Sequence, residues 1–228
     1  MHWESGTPSA PQATDDEAAI LRVRSDLLPT KPRRRRVKLW DSGLGLMRRF
    51  AANPDPLAEA SNWAALIIGT HLPFWPLYVW WSAGSQAMPS ALLTVALAPV
   101  FLAVPLVSRR SGLLGRMVML LAGLGNTVFT FWVLGENSGT ELFLGPCAAL
   151  ALISFRQTER WLMLGFTMLP LAVWFVLQNH APPSLHHYDR QAAHGLFVLN
   201  AISVSVLMAV FGWLQAGIYH RMEHGRPY

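Results

Sequence analysis

The first hydrophobic stretch of the chain contains a histidine close to two prolines. His71 precedes Pro73 and Pro76 in the sequence GTHLPFWPLYVWW. Such a histidine could ligate a haem or another metal, relay a proton or contact a bound quinone. Because an imidazole facing lipid would be costly, we expect His71 to face the interior of a helix bundle. The alternative is a neutral histidine that hydrogen-bonds to a neighbouring helix.

Two asparagines in later hydrophobic stretches are the other candidate ligand-binding residues. Asn126 is followed by Thr127 and Thr130, and Asn200 lies far along the chain. Together with His71, the asparagines are predicted to line a site for a small apolar or redox ligand, such as a quinone, beside a proline-kinked helix. Residues of these types also hold membrane helices together, so a purely packing role is the alternative.

A second group of chemically active residues is a run of histidines near the C-terminal end. The sequence NHAPPSLHHYDRQAAH contains four histidines and Asp189. Imidazole and carboxylate groups ligate transition metals, which makes His186, His187 and His194 the predicted metal ligands. Their spacing matches no specific zinc signature, and two prolines favour a loop, so an exposed polar loop is the alternative.

These residues lie in or beside six hydrophobic runs that are nearly free of charge: Asn62–Ser82, Ala91–Val107, Leu113–Leu134, Leu142–Phe155, Trp161–Leu177 and Gly195–Ile218. Roughly 20 apolar residues of helix span a hydrocarbon core about 30 Å thick. The pattern predicts an all-α, polytopic membrane bundle of six transmembrane helices. The fourth and fifth runs are short, and the alternation of the loops decides in favour of counting them as crossings.

Basic residues alternate between loops in the way that the positive-inside rule describes. They are concentrated in the N-terminal arm, the second-to-third loop, the fourth-to-fifth loop and the tail, whereas the intervening loops are nearly uncharged or acidic. With six crossings, all the basic loops fall on one side, which is then cytoplasmic. We therefore expect both termini to be cytoplasmic. A basic composition of this origin gives no reason to expect a nucleic-acid partner.

The sequence divides into a cytoplasmic arm (1–60), a transmembrane domain (61–220) and a short tail (221–228). Within the arm, Val37–Phe50 is predicted to form an amphipathic helix at the membrane interface. Its side chains and the preceding basic run would meet anionic headgroups, with the membrane-surface residues being Arg33, Arg34, Arg35, Arg36 and Trp40. The alternative is a disordered tail whose arginines only set the topology.

A resemblance to a known class of domain adds to this interpretation. Gly125–Leu177 contains a Gly-x-x-Ser-Gly turn at Gly135–Gly139, Phe155 before the charged turn Arg156–Arg160, and then an apolar fifth run. This stretch resembles the hexahelical membrane sensor domains of bacterial class III adenylate cyclases, diguanylate cyclases and some histidine kinases. The resemblance implies a signal-input module, and some such relatives carry haem and respond to quinones.

The chain departs from those relatives in having one central histidine, which disfavours haem, and in ending soon after the sixth run, which leaves no output domain in this sequence. We therefore predict a non-catalytic sensor in the bacterial cytoplasmic (inner) membrane that acts on a separate protein partner. The cofactor is left open, with haem or quinone as the candidates. The alternative is an accessory subunit of a larger electron-transport or photosynthetic complex.

Overall fold

The computed structural model describes the backbone of residues 37–179 and 188–224, and the side chains of residues 43–179 and 188–217. Contacts divide the chain into two units, Met1–Gly43 and Leu44–Tyr228. Residues 37–43 are the described part of the first unit, and they are helical. The contacts discussed below all lie within the second unit.

The described residues form helices and turns and contain no strand. The helices are α1 (Val37–Ala51), α2 (Pro56–His71), α3 (Trp75–Ala83), α4 (Met88–Thr94), α5 (Ala98–Ser108), α6 (Gly112–Leu134), α7 (Leu144–Ser154), α8 (Arg160–Asn179) and α9 (Arg190–His224). The all-α prediction is therefore confirmed for this part of the chain, and so is the helix predicted over Val37–Phe50.

Each of the six hydrophobic runs coincides with helical structure. Among the described residues, four stretches are long and apolar enough to cross a membrane: Ser85–Ser108, Gly112–Leu134, Gln157–Asn179 and Arg190–Gly217. The fourth run forms a shorter apolar helix, and the first run, in α2 and α3, is not among the four. The chain is thus a multi-pass membrane protein. The count of six crossings and the cytoplasmic termini remain predictions.

The helix distortion expected from the prolines of the first run is present. A 3-10 turn, Leu72–Phe74, separates α2 from α3, and Pro73 lies at its start. Pro76 occupies the first turn of α3, where a missing backbone N–H leaves no hydrogen bond unmade. The prolines therefore divide the first run into two helices.

The core lies where α2, α5, α6 and α7 pack together. Its large buried side chains include Phe101, Met119 and Phe155, and Phe211 of α9 joins them. At the junction of α5 and α6, a Cβ at Gly115 would overlap the Cα and Cβ of Ser108. Glycine here lets the two helices approach more closely than any other residue would permit.

The last two long helices are peripheral. The apolar windows of α8 and α9 are 11% and 17% buried, against 44% for α6. Their exposed residues are large and hydrophobic, for example Trp161 and Phe175 on α8 and Trp213 on α9. Apolar side chains exposed on this scale are suited to lipid or to a partner helix rather than to water.

Candidate functional site

The turn between α6 and α7 closes by backbone geometry that favours glycine. Gly135 has a φ of 83° and Gly139 has a φ of 72°, both in the region that other residues rarely adopt. These angles permit the turn that the Gly-x-x-Ser-Gly pattern indicates. Neither Ser138 nor Thr140 caps the following helix through its side chain. Instead, the hydroxyls of Ser138 and Thr140 hydrogen-bond to each other at 2.6 Å.

This turn, Gly135–Glu141, is held against α9 by one of the predicted site residues. Asn200 is fully buried, and its Nδ2 donates to the backbone oxygen of Ser138 at 2.7 Å. A Cβ at Gly139 would lie 2.6 Å from the ring of Phe197, so the turn is in direct contact with α9. Asn200 therefore joins two parts of the chain that lie 62 residues apart.

Several buried polar side-chain atoms on α6 and α9 have no hydrogen-bond partner among the described residues. They include Oδ1 of Asn200, Oδ1 of Asn126 and Oγ1 of Thr130. Asn126 and Thr130 are one helical turn apart on α6 and share a face of it. Buried oxygens usually accept a hydrogen bond, so each of these atoms has unused capacity to accept one.

His71 lies elsewhere than expected. Its side chain is exposed and stacks on Tyr78, with ring centroids 5.4 Å apart and planes 14° apart. The expectation that it faces the bundle interior is wrong, because α2 buries a different face, which includes Ala64, Ala65 and Gly69. Among the described residues, no hydrogen bond, ion pair or ring contact joins His71 to Asn126 or Asn200. Ligand binding by these three residues remains a prediction.

The metal and membrane-surface predictions fall largely outside the described residues. His186, His187 and Arg33–Arg36 all lie there, and for Trp40 only the helical backbone is described. His194 is on the exposed surface of α9. Within the described residues, no group of three histidine, cysteine or acidic side chains is placed to hold a metal ion.

A buried arginine, Arg116, lies at the opposite end of α6. The charge pattern of the sequence predicted only a basic loop residue at this position. Arg116 is 2% exposed and makes a bidentate pair with Glu159, at 2.8 and 3.0 Å. Its guanidinium also donates to the backbone oxygens of Ser154 and Gly112 and lies 5.8 Å over the ring of Phe155. Charged groups at a buried site need this kind of complete pairing.

Asp55 and Arg156 extend the pair into a network of four charged side chains. Asp55 caps the first turn of α2 and lies 3.5 Å from Arg116 and 3.1 Å from Arg156. The backbone N–H of Arg156 also donates to Glu159 at 2.9 Å. Hydrogen bonds from Arg116 are the main reason that the pKa of Glu159 lies below its ordinary value. The network ties the start of α2 to the start of α6 and to the turn before α8.

The sequence did carry a signal for this network. Arg116 lies inside the third hydrophobic run, and a charge within an apolar helix requires a partner. Most of the acidic residues lie on the same side of the predicted bundle, and Asp55 and Glu159 are two of them. Which acid pairs with the arginine depends on contacts across 43 residues of chain, which spacing alone does not predict.

A comparison with family models places these observations in context. The MASE7 model, which describes a family of membrane-associated sensor domains, matches residues 60–217. The matched region includes Arg116, Glu159 and the turn that contacts Asn200, and it is more than half of the chain. No curated protein matches this sequence. The chain belongs to the MASE7 family of membrane-associated sensor domains.

Proposed function

We propose that this membrane sensor domain is a signal-input module that passes its signal to a separate protein partner and catalyses no reaction itself. The family supports the sensing role. The resemblance to the sensor domains of cyclases and histidine kinases favours a cytoplasmic signalling enzyme as the partner, in a bacterial inner membrane. An accessory subunit of an electron-transport or photosynthetic complex is the competing role.

The observation that carries the proposal is the placement of α9. This helix contains 35 residues. At 1.5 Å per residue it extends about 52 Å, well beyond a hydrocarbon core of about 30 Å. Near its start, a Cβ at Gly195 would overlap the backbone oxygen of Ser82, and Asn200 holds the turn at Ser138. Further along, Phe211 is buried while Trp213 is 72% exposed. One rigid element thus connects the Gly135–Glu141 turn to the other end of the bundle.

The ligand in this proposal binds beside Asn126 and Asn200 rather than at His71. The unpartnered oxygens of the two asparagines could accept hydrogen bonds from a ligand, whereas His71 faces outward. A small redox ligand such as a quinone fits an apolar bundle that contains few polar groups. To act as a signal, the ligand must bind one arrangement of α9 more tightly than another, since equal affinity shifts no equilibrium.

The test is gentle purification of the full chain from native membranes, followed by the absorption spectrum, the content of extractable quinone and haem, and the activity of the copurified signalling enzyme. Asn200→Ala should reduce ligand content and uncouple the enzyme activity from it. Ser203→Ala is the matched control, because Ser203 donates only to Leu199 of its own helix. Equal ligand content and unchanged partner activity in both variants would contradict sensing and favour the accessory-subunit role.

A further inference from the structure

The end of α1 and the residues just after it are held against the turn between α5 and α6 by two contacts, and against α2 by a third. The guanidinium of Arg109 lies 5.2 Å over the ring of Phe50. Asn53 donates to the backbone oxygen of Ser108 at 3.0 Å, and Asn62 donates to the backbone oxygen of Ala51 at 2.9 Å. Two segments that are distant in sequence are therefore held side by side.

This junction brings together four exposed arginines, two from the last turn of α1 and two from the α5–α6 turn: Arg48, Arg49, Arg109 and Arg110. Among the described side chains, none of the four takes part in an ion pair. The nearby acids Asp55 and Glu159 are engaged by Arg116 and Arg156. The positive charge at the junction is thus not neutralised by these carboxylates.

Apolar side chains flank the arginines. On α1, Leu44 is 49% exposed and Leu46 is 70% exposed. The neighbouring helix α5 belongs to a stretch apolar enough to cross a membrane. Basic groups next to exposed apolar groups, at the end of a membrane-spanning stretch, match the boundary between headgroups and acyl chains.

We propose that the four arginines form a binding site for the phosphate headgroup of an anionic phospholipid. The planar guanidinium donates two parallel hydrogen bonds to a phosphate, which makes arginine better suited than a point charge to this group. The acyl chains of the lipid would lie beside the exposed Leu44, which shares a face of α1 with Arg48. Because the arginines come from two segments that Phe50 and Asn53 hold together, the site differs from the general attraction of scattered basic residues to a membrane.

The test uses the full chain in nanodiscs that contain equal amounts of phosphatidylglycerol and phosphatidylcholine. The protein is released from the nanodiscs, and native mass spectrometry identifies the lipids that stay bound to it. Each arginine near an anionic surface contributes about a factor of five in binding, so the double variant R109Q/R110Q should lower the enrichment of phosphatidylglycerol by on the order of tenfold or more. Thermal unfolding checks that this variant is folded.

The matched control is R156Q/R160Q, which removes two exposed arginines from the same end of the bundle. It should lower the enrichment clearly less than R109Q/R110Q does, because its arginines lie outside the junction and make no direct hydrogen bonds to the bound phosphate. An equal loss in both double variants, or no loss in R109Q/R110Q, would overturn the proposal. Added inorganic phosphate should displace no more lipid than chloride does at the same ionic strength. Displacement by phosphate would show that the site takes a free anion instead.

If R109Q/R110Q fails to fold, Phe50→Leu provides a second measurement. It retains all four charges and removes only the ring that supports Arg109. Enrichment of phosphatidylglycerol should then fall severalfold, because the guanidinium of Arg109 loses the ring that positions it. Unchanged enrichment in Phe50→Leu would contradict a built site at the junction.

Discussion

The two ends of α6 are held by different kinds of interaction. At its start, Arg116 is enclosed by carboxylates and backbone oxygens, and the network joins three segments through charge. At its other end, about 34 Å away for a helix of 23 residues, the contacts are neutral. There the Gly135–Glu141 turn packs on α9 through Asn200 and through close approach at Gly139.

This difference separates a fixed end from one that can adjust. Disrupting a buried ion pair leaves an uncompensated charge, so the end at Arg116 has little freedom to rearrange. A single neutral hydrogen bond contributes only about 0.5–1.5 kcal/mol, so the turn at Ser138 can shift at a much smaller cost. The contrast agrees with the proposal that a ligand acts beside Asn200, at the end that can shift.

The largest effect is expected from Glu159→Gln at the charged end. It leaves the buried guanidinium of Arg116 with only Asp55 as a charged partner. The free energy of unfolding should fall by about 3 kcal/mol, as measured by thermal or denaturant unfolding in detergent. Arg156→Gln is the control, because its side chain is 57% exposed and its pair should contribute no more than about 1 kcal/mol. Equal losses in the two variants would remove the distinction between the buried and exposed parts of the network.

Gly195→Ala tests the close approach at the start of α9. The added Cβ would overlap the backbone oxygen of Ser82, and a backbone atom cannot move aside as a side chain can. We expect a loss of about 2 kcal/mol. The control is Gly212→Ala on the same helix, where the Cβ meets no atom within 4 Å and helix propensity should add up to about 1 kcal/mol. Thermal unfolding of both variants gives the comparison. Equal stability would show that the close approach at Gly195 does not contribute to stability.

Asn200→Ala sharpens the contrast between the ends. It removes the side-chain donor to the buried oxygen of Ser138, and it should lower the free energy of unfolding by about 1–2 kcal/mol. Asn179→Ala is the control, because its exposed amide bonds only to Phe175 on its own helix and should have little effect. A loss from Asn200→Ala as large as that from Glu159→Gln would mean that the turn is as firmly held as the charged end.

The smallest effects are changes in the free energy of unfolding with pH. These changes should have opposite signs at the two ends of α6. Hydrogen bonds from Arg116 lower the pKa of Glu159 below 4.5, so its stabilisation is complete above pH 4.5 and is lost as the pH falls through the folded pKa. Burial raises the pKa of Glu141 above 4.5, so its contribution is complete below pH 4.5 and is lost as the pH rises through the folded pKa.

Unfolding midpoints measured from about pH 3.5 to about pH 7 test both signs. The advantage of the wild type over Glu159→Gln should shrink as the pH falls. Relative to Glu141→Gln, the wild type should instead lose stability as the pH rises. Parallel profiles for the two variants would show that the two carboxyl groups have similar environments.

The sequence by itself determined the all-helical, membrane-embedded character of the protein, because the length and hydropathy of each run are local properties. It also determined the tight turn, since Gly135 and Gly139 can adopt positive φ angles wherever they stand in the chain. Only the tertiary structure decided where the polar side chains point. His71 faces outward, Arg116 is buried and Asn200 binds Ser138 because packing against distant segments sets the rotation of each helix about its axis. That rotation depends on contacts between residues dozens of positions apart, which no local pattern encodes.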